Sequence, residues 1–319
     1  MLILNTEDIY KSIEPIEIIE AVERAFIIQK SQDFKMPDRM HIGKDGNTHL
    51  VMPCLAENLF STKLVSVNPK NKNKGLPIIS GVVQLADHNN GKVLAIFNGG
   101  TVTALRTGAV GAVAVKYLTN SNVNNIGLIG TGVQGLHLLL MINAIRDLNQ
   151  ITIFNHKTSQ SNWFKEELIK KIPGTKINFT DSKKDLLNSS QIILTATTSP
   201  TPVLPEDTEL LKGKTYICVG SFKPIMGELP RSIYSILDKI YVDVEYATRE
   251  SGDVAYPLEK GILNHDQIIP INELVTGMQS PSGHTKVFKS VGMALFDLTT
   301  AEKIYTSALN KGIGTEFVL

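Results

Sequence analysis

Cysteine is scarce in this sequence: Cys54 and Cys218 are the two in 319 residues. They sit in unrelated hydrophobic contexts without zinc-type or redox-type spacing, which argues against a disulfide framework and leaves two buried thiols in a reducing compartment. Charge of one sign is equally lacking. Thirty-two Lys and Arg meet 31 Asp and Glu, for a formal net charge of +1. The basic residues form no stripe that would serve a nucleic acid or a membrane surface. No apolar run reaches the roughly 18 residues of a membrane span. The opening "MLILNTEDIY" lacks a basic n-region and a long apolar core, so the expected location is cytoplasmic. What remains is small-molecule chemistry.

With 42% hydrophobic and 20% charged residues over 319 positions, the composition is that of a globular protein with room for two domains. "EPIEIIEAVERAFIIQ" begins with proline and spaces Ile19, Val22 and Phe26 as one face of a helix. From about Met36 to Phe97, short apolar runs broken by Asn, Gly and Pro predict a mostly antiparallel sheet. "GGTVTALRTGAVGAVAVKYL" is small and apolar on nearly every face, which predicts a helix packed on several sides and joining two domains. Between Asn125 and Asp243, β-rich runs ("IGLIG", "ITIF", "KINF", "QIILTAT", "TYICVG", "KIYVD") alternate with helical stretches, one of them between the last two runs. That alternation predicts a doubly wound parallel sheet. In "GMALFDLTTAEKIYTSALNKG", Leu295, Leu298, Ala301 and Ile304 keep helical spacing up to Gly312.

The stretch "NIGLIGTGVQG" places Gly130, Gly132 and Gly135 as G-x-G-x-x-G between a predicted strand and a predicted helix. The first glycine permits a tight turn, the second lets a pyrophosphate reach the backbone, and the third allows close helix–strand packing; Thr131 and Val133 complete the turn. An NAD site commonly ends its second strand in an acid that binds the ribose 2′-hydroxyl. Here that strand ends "IFNHKTSQS": Asn155, His156, Lys157, Thr158 and Ser159, with no acid to repel a 2′-phosphate and a lysine to hold one. The expected cofactor is NADP(H), with NAD(H) as the alternative. Asp87 and His88 in "LADHNNGK" read as a turn rather than a catalytic pair. His41, His49 and His137 have no partners at metal-ligand spacing, so no metal is expected.

"MPDRMHI", "HLVMP", "TKLVSVNPKNKNKGLP", "DHNNGKVLAIFNGGTVTALRTGA", the glycine turn and "VFKSVGMALFDLTTA" resemble, in order and spacing, the ornithine cyclodeaminase/μ-crystallin family over essentially the whole chain. The resemblance implies an α/β protein of two domains: a Rossmann domain and a discontinuous α+β substrate-binding and dimerisation domain, with the active site in the cleft between them. On this sequence the first part of the latter spans 1–115, the Rossmann domain 116–291, and a helix over 292–319 returns to the first domain. The resemblance implies a homodimer. It also implies that Arg39 and Arg106 hold a substrate carboxylate, Lys63 faces the reacting group, Met52 lines the pocket, and Thr107 and the Ser290 of "FKSVG" approach the cofactor. A lysine beside two arginines has its charged form disfavoured, which suits it to proton transfer.

Deaminating members of the family carry an aspartate after the "VGG"-like strand end and a glutamate just before the Met-Pro of the pocket. Here "CVGSFKPIMGELP" puts Phe222 at the first position, and Leu50 holds the second. Two apolar replacements beside a carboxylate clamp suit a compact ring with no side-chain charge. "GSFKP…ELP" also resembles the cyclic ketimine reductase branch. The expected reaction is NADPH-dependent reduction of Δ1-pyrroline-2-carboxylate to L-proline, with Δ1-piperideine-2-carboxylate to L-pipecolate as its six-membered counterpart. The alternatives are ornithine cyclodeaminase, an alanine dehydrogenase or opine-type step, with Asp87 and Glu228 as substitute acids, and an NADPH-dependent binding protein of μ-crystallin type.

Overall fold

The computed structural model describes residues 1–155 and 161–318. They form a mixed α/β fold of two compact units: Met1–Arg106 with Met293–Leu319, and Thr107–Gly292. The chain begins β1 (Leu2–Leu4), α1 (Thr6–Ser12), α2 (Pro15–Ser31), β2 (Phe34–Lys35), β3 (Met40–Lys44), β4 (Asn47–Ala56), β5 (Leu59–Val67), β6 (Ile79–Asp87), β7 (Val93–Asn98) and α3 (Gly99–Leu118). It continues β8 (Asn125–Ile129), α4 (Val133–Asn143), β9 (Gln150–Phe154), α5 (Ser161–Lys171), β10 (Lys176–Thr180), α6 (Lys183–Asn188), β11 (Ile192–Thr195), α7 (Thr208–Leu211) and β12 (Thr215–Cys218). It ends β13 (Ile240–Val242), α8 (Ala247–Glu250), α9 (Gly252–Glu259), β14 (Ile268–Pro270), α10 (Asn272–Val275), β15 (Lys286–Lys289), α11 (Ala294–Lys311) and β16 (Thr315–Glu316).

The first unit is an eight-stranded sheet ordered β16-β1-β7-β6-β5-β4-β2, with β3 also paired to β4. Its pairings are antiparallel except β1 with β7. Alternation along β4 buries Thr48, Leu50, Met52, Cys54 and Ala56, and this inner face lies under α11 and its neighbour α2. α2 begins at Pro15 behind a Glu14/Glu17 capping box, and buries Ile18, Ile19, Val22, Ala25 and Phe26. α11 ends at Gly312, whose φ of +63° closes the helix in a left-handed cap. β1 and α1 carry no periodic signal in the sequence; α1 is started by a capping box between Asn5 and Asp8.

The second unit is an eight-stranded, fully parallel sheet ordered β10-β9-β8-β11-β12-β15-β13-β14. The chain runs outward from β8 to β10 and then returns to β11 on the other side of β8. The carboxyl end of β8 is therefore the switch point where doubly wound sheets bind ligands. Between β12 and β13 the sequence predicted a helix. The structure has a loop and one short 3-10 turn, Arg231–Ile236, because Pro224 and Pro230 remove the donors that a continuous α-helix needs. Among the described residues, no helix is long and apolar enough to cross a membrane.

Phe26 and Phe296 lock α2 to α11 edge-to-face with ring centroids 5.0 Å apart, and both rings are fully buried. Phe296→Ala is expected to cost about 3–5 kcal/mol in urea unfolding. A loss below about 1 kcal/mol would show that this contact does not hold the helix.

Candidate active site

The inner face of the first sheet carries one continuous cross-strand row: Met52 opposite Lys63, Lys63 opposite Val83, and Val83 opposite Phe97. Strand alternation thus sends a lysine into a face made of apolar side chains, and Lys63 is 1% exposed. Its charge is met from above. Asp297, fully buried on α11, places Oδ2 2.6 Å from Lys63 Nζ. The Nε of Arg106, on α3, donates to Asp297 Oδ1 at 3.2 Å. No other hydrogen bond engages the Arg106 guanidinium among the described residues, so its terminal nitrogens keep donors for a ligand. Arg39 precedes β3; the pairing of Met40 with Val51, continued by one residue, sets it opposite Met52, and its charge acts on Lys63.

Burial lowers the Lys63 pKa to about 7; Arg106 adds to the effect, Asp297 opposes it, and Arg39 lowers it further. Burial therefore outranks the arginines, which the sequence had identified as the cause. Burial also pushes the Cys54 thiol on the same face up to about 12, with Asp297 contributing, so it is an uncharged wall. Asp297 is the residue that sequence reasoning missed. It had been passed over within a helical stripe, although its spacing from Ala301, Ile304 and Ala308 places it on the buried face, where an acid requires a partner.

In the second unit the glycine turn divides into two kinds of position. Gly130 has φ +115° and a side chain there would strike the Ala196 carbonyl, while one on Gly135 would strike the Gly130 carbonyl. A Cβ on Gly132 would meet no atom within 4 Å. The fold therefore demands the first and third glycines, and leaves the second open for a pyrophosphate. Gly132 caps α4 without a side-chain hydrogen bond, so the first-turn amides and the helix dipole face the same opening, flanked by Thr131 and the exposed Val133. These features fit a dinucleotide.

Asn155 follows β9 at the same sheet edge, one position beyond the Ile129–Phe154 pair. His156 and Lys157, with Thr158 and Ser159, lie outside the described residues. Ser290 follows β15; its hydroxyl donates to Asp243 Oδ2 at 2.6 Å, and the Val291 and Gly292 amides donate to the same carboxylate. Phe222 stands half-buried beyond β12, with the Lys223 ammonium 5.7 Å from its ring centroid. Thr107 is buried within α3, and Leu50 is buried on β4 opposite Val65.

Both substitute acids have structural work. Glu228 Oε1 accepts from the Thr197 amide at 2.7 Å and its hydroxyl at 2.9 Å, while Oε2 accepts from the Gly220 amide at 2.9 Å. Lys289 completes the set, 3.8 Å from Glu228 and 3.3 Å from Asp253. Asp87 accepts from the Asn89 amide and the Asn90 side chain, which shapes the β6–β7 turn.

The family model for ornithine cyclodeaminase/mu-crystallin proteins matches residues 1–312. The chain belongs to this family. A Δ1-pyrroline-2-carboxylate reductase of Bacillus cereus is 31% identical over 325 aligned residues, covering 99% of each chain. The solved Δ1-pyrroline-2-carboxylate reductase of Thermococcus litoralis, in complex with NADH and L-proline, is 32% identical with a TM-score of 0.93, covering 99% of this chain and 100% of that one. An archaeal alanine dehydrogenase dimer with bound NAD is 25% identical with a TM-score of 0.90, covering 100% of this chain and 99% of that one.

Gly132→Ala is expected to leave the melting temperature of the free protein unchanged, while weakening binding of the reduced nicotinamide dinucleotide about tenfold or more in a fluorescence titration. Gly135→Ala should lower the melting temperature itself. The reverse pattern would remove the glycine turn from the cofactor site.

Proposed function

We propose that the protein reduces Δ1-pyrroline-2-carboxylate to L-proline with NADPH, and takes Δ1-piperideine-2-carboxylate as a second, six-membered substrate. The observation that carries this reading is the buried cluster of Lys63, Asp297 and Arg106, with Arg39 acting on it. Its family relatives include Δ1-pyrroline-2-carboxylate reductases, and the chain is an oxidoreductase acting on CH–NH groups. Arg39 and Arg106 clamp the substrate carboxylate, since a guanidinium fork matches two carboxylate oxygens and fixes the ring in one orientation. Lys63, with its pKa lowered to about 7, holds or releases the proton that the ring nitrogen needs. Bound NADPH supplies the hydride to the carbon that bears the carboxylate. Met52 and Leu50 present apolar surface, and with Phe222 at the other position neither of the two family positions carries a carboxylate for a terminal ammonium. NADPH is preferred because the end of β9 carries no acid and is followed by His156, Lys157, Thr158 and Ser159.

The protein acts in this reading as a cytoplasmic homodimer. On the outer face of the first sheet, Met40, Val51, Leu64 and Val82 form a second cross-strand row, and Met40, Leu64 and Val82 are 58%, 48% and 41% exposed. A row of apolar side chains across four strands is surface that a second copy would cover.

Purified protein is mixed with NADPH and Δ1-pyrroline-2-carboxylate, beside wells holding NADH, L-ornithine with NAD, and pyruvate with ammonium. The expected outcome is rapid NADPH oxidation with the cyclic imine, slower reaction with NADH, and silence elsewhere. Ammonia release from ornithine would refute the reading of Phe222 and Leu50, and equal use of NADH would refute the cofactor preference. Lys63→Ala should lower kcat by about 100-fold or more, against less than about twofold for Lys70→Ala. In sedimentation equilibrium the wild type should be a dimer and Leu64→Asp a monomer; two dimers would remove the outer row from the interface.

A further inference from the structure

Among the described residues, Asp297 is the one acid in a cluster of three cations, and it touches two of them through different oxygens: Oδ2 lies 2.6 Å from Lys63 Nζ, and Oδ1 lies 3.2 Å from Arg106 Nε. We propose that Asp297 is a positioning residue: its carboxylate holds the Lys63 amine and the Arg106 guanidinium as a unit, so that a substrate carboxylate docking on the arginines makes the amine take up a proton. The inference rests on the imine-reducing reading of the site. It adds a residue and a coupling that this reading does not contain.

The groups around Lys63 leave few other ways to set its charge. β4 and β6 present Met52, the uncharged Cys54 and Val83; α3 presents Arg106, α11 presents Asp297, and Arg39 stands ahead of β3. With the amine neutral, the arginines and Asp297 sum to one surplus positive charge. A docked carboxylate cancels it, the repulsion on Nζ falls, and the protonated amine becomes the favoured form. The proton then moves from Nζ to the ring nitrogen and leaves Lys63 neutral. Because the free amine titrates near 7, it is mostly neutral at pH 8 and has room to gain a proton.

The test uses calorimetry on the NADP-loaded protein at pH 8, with pyrrole-2-carboxylate as a planar five-membered probe, in two buffers of different ionisation enthalpy. The wild type should take up about half a proton on binding, and Asp297→Asn less than half as much, since a neutral amide lets the Lys63 pKa fall further. In reduction assays the wild-type kcat should decline as pH rises through the Lys63 titration. Asp297→Asn should displace that decline to lower pH by about one unit. The KM should change little, because the amide oxygen still accepts from Arg106, and Asp297→Glu should restore the position of the profile. A profile that is lowered but not displaced, or equal proton uptake in wild type and Asp297→Asn, overturns the proposal. If the asparagine variant does not fold, proton uptake by both wild type and Asp297→Glu supports it, and absence of uptake in either overturns it. Proton uptake without turnover of any cyclic imine would sink the substrate assignment and leave the role of Asp297 standing.

Discussion

A lysine amine inside an apolar sheet face is the constraint around which the first unit is arranged. Removing an ammonium from water costs several kcal/mol unless it is paired, and two neighbouring guanidiniums raise that cost. Asp297 offsets part of it. The result is an amine held near its titration point rather than one locked in either state. Lys63 is buried with Met52 and Val83 as its cross-strand neighbours, and α11 covers the same face from above. A water-excluded amine with a single anionic neighbour responds strongly to the next charge that arrives, because little solvent screens it.

The second unit buries charge to a different end. Glu228, Asp253 and Lys289 are at most 2% exposed, and the acids outnumber the base. Their surplus is absorbed by backbone donors: Glu228 accepts from the Thr197 and Gly220 amides, and Asp253 Oδ1 accepts from the Glu228 and Leu229 amides. Asp243 does the same for the turn from Ser290 to Gly292. Carboxylates that accept from backbone amides in this way pin loops. Those loops lie at the carboxyl edge of the parallel sheet, beside the switch point, so the network fixes the rim where a dinucleotide is received. In the first unit the surplus is positive, with Lys63, Arg39 and Arg106 against Asp297.

Much of this architecture was legible in the residues. Alternation from Met36 to Phe97, the helical spacing of Ile19, Val22 and Phe26, and the strand–glycine–helix order around Gly130 are local signals, and each corresponds to an observed element. Strand β1 was not legible, since three residues cannot display a period, and its pairing with β7 depends on contacts far along the chain. The insertion of β15 between β12 and β13 was equally hidden, because strand order leaves no trace in the strand itself. Glu228 was visible as a candidate acid, yet its role is decided by Thr197, Gly220 and Lys289, which no spacing rule connects to it. Asp297 left a trace that pattern reading tends to discard: one acid in phase with an apolar stripe looks like noise until a cation is found opposite.

That cation is supplied from the far end of the chain. Arg106 and Asp297 are 191 residues apart in sequence, and α11 reaches the first sheet only after the entire second unit has been traversed. The first sheet alone would hold Lys63 beneath an uncovered face, with solvent in place of Asp297. Docking of α11 through Phe296 against Phe26 therefore does two things at once: it closes the hydrophobic core of the first unit, and it delivers the carboxylate that sets the state of the amine. Stability and chemistry are coupled through one helix.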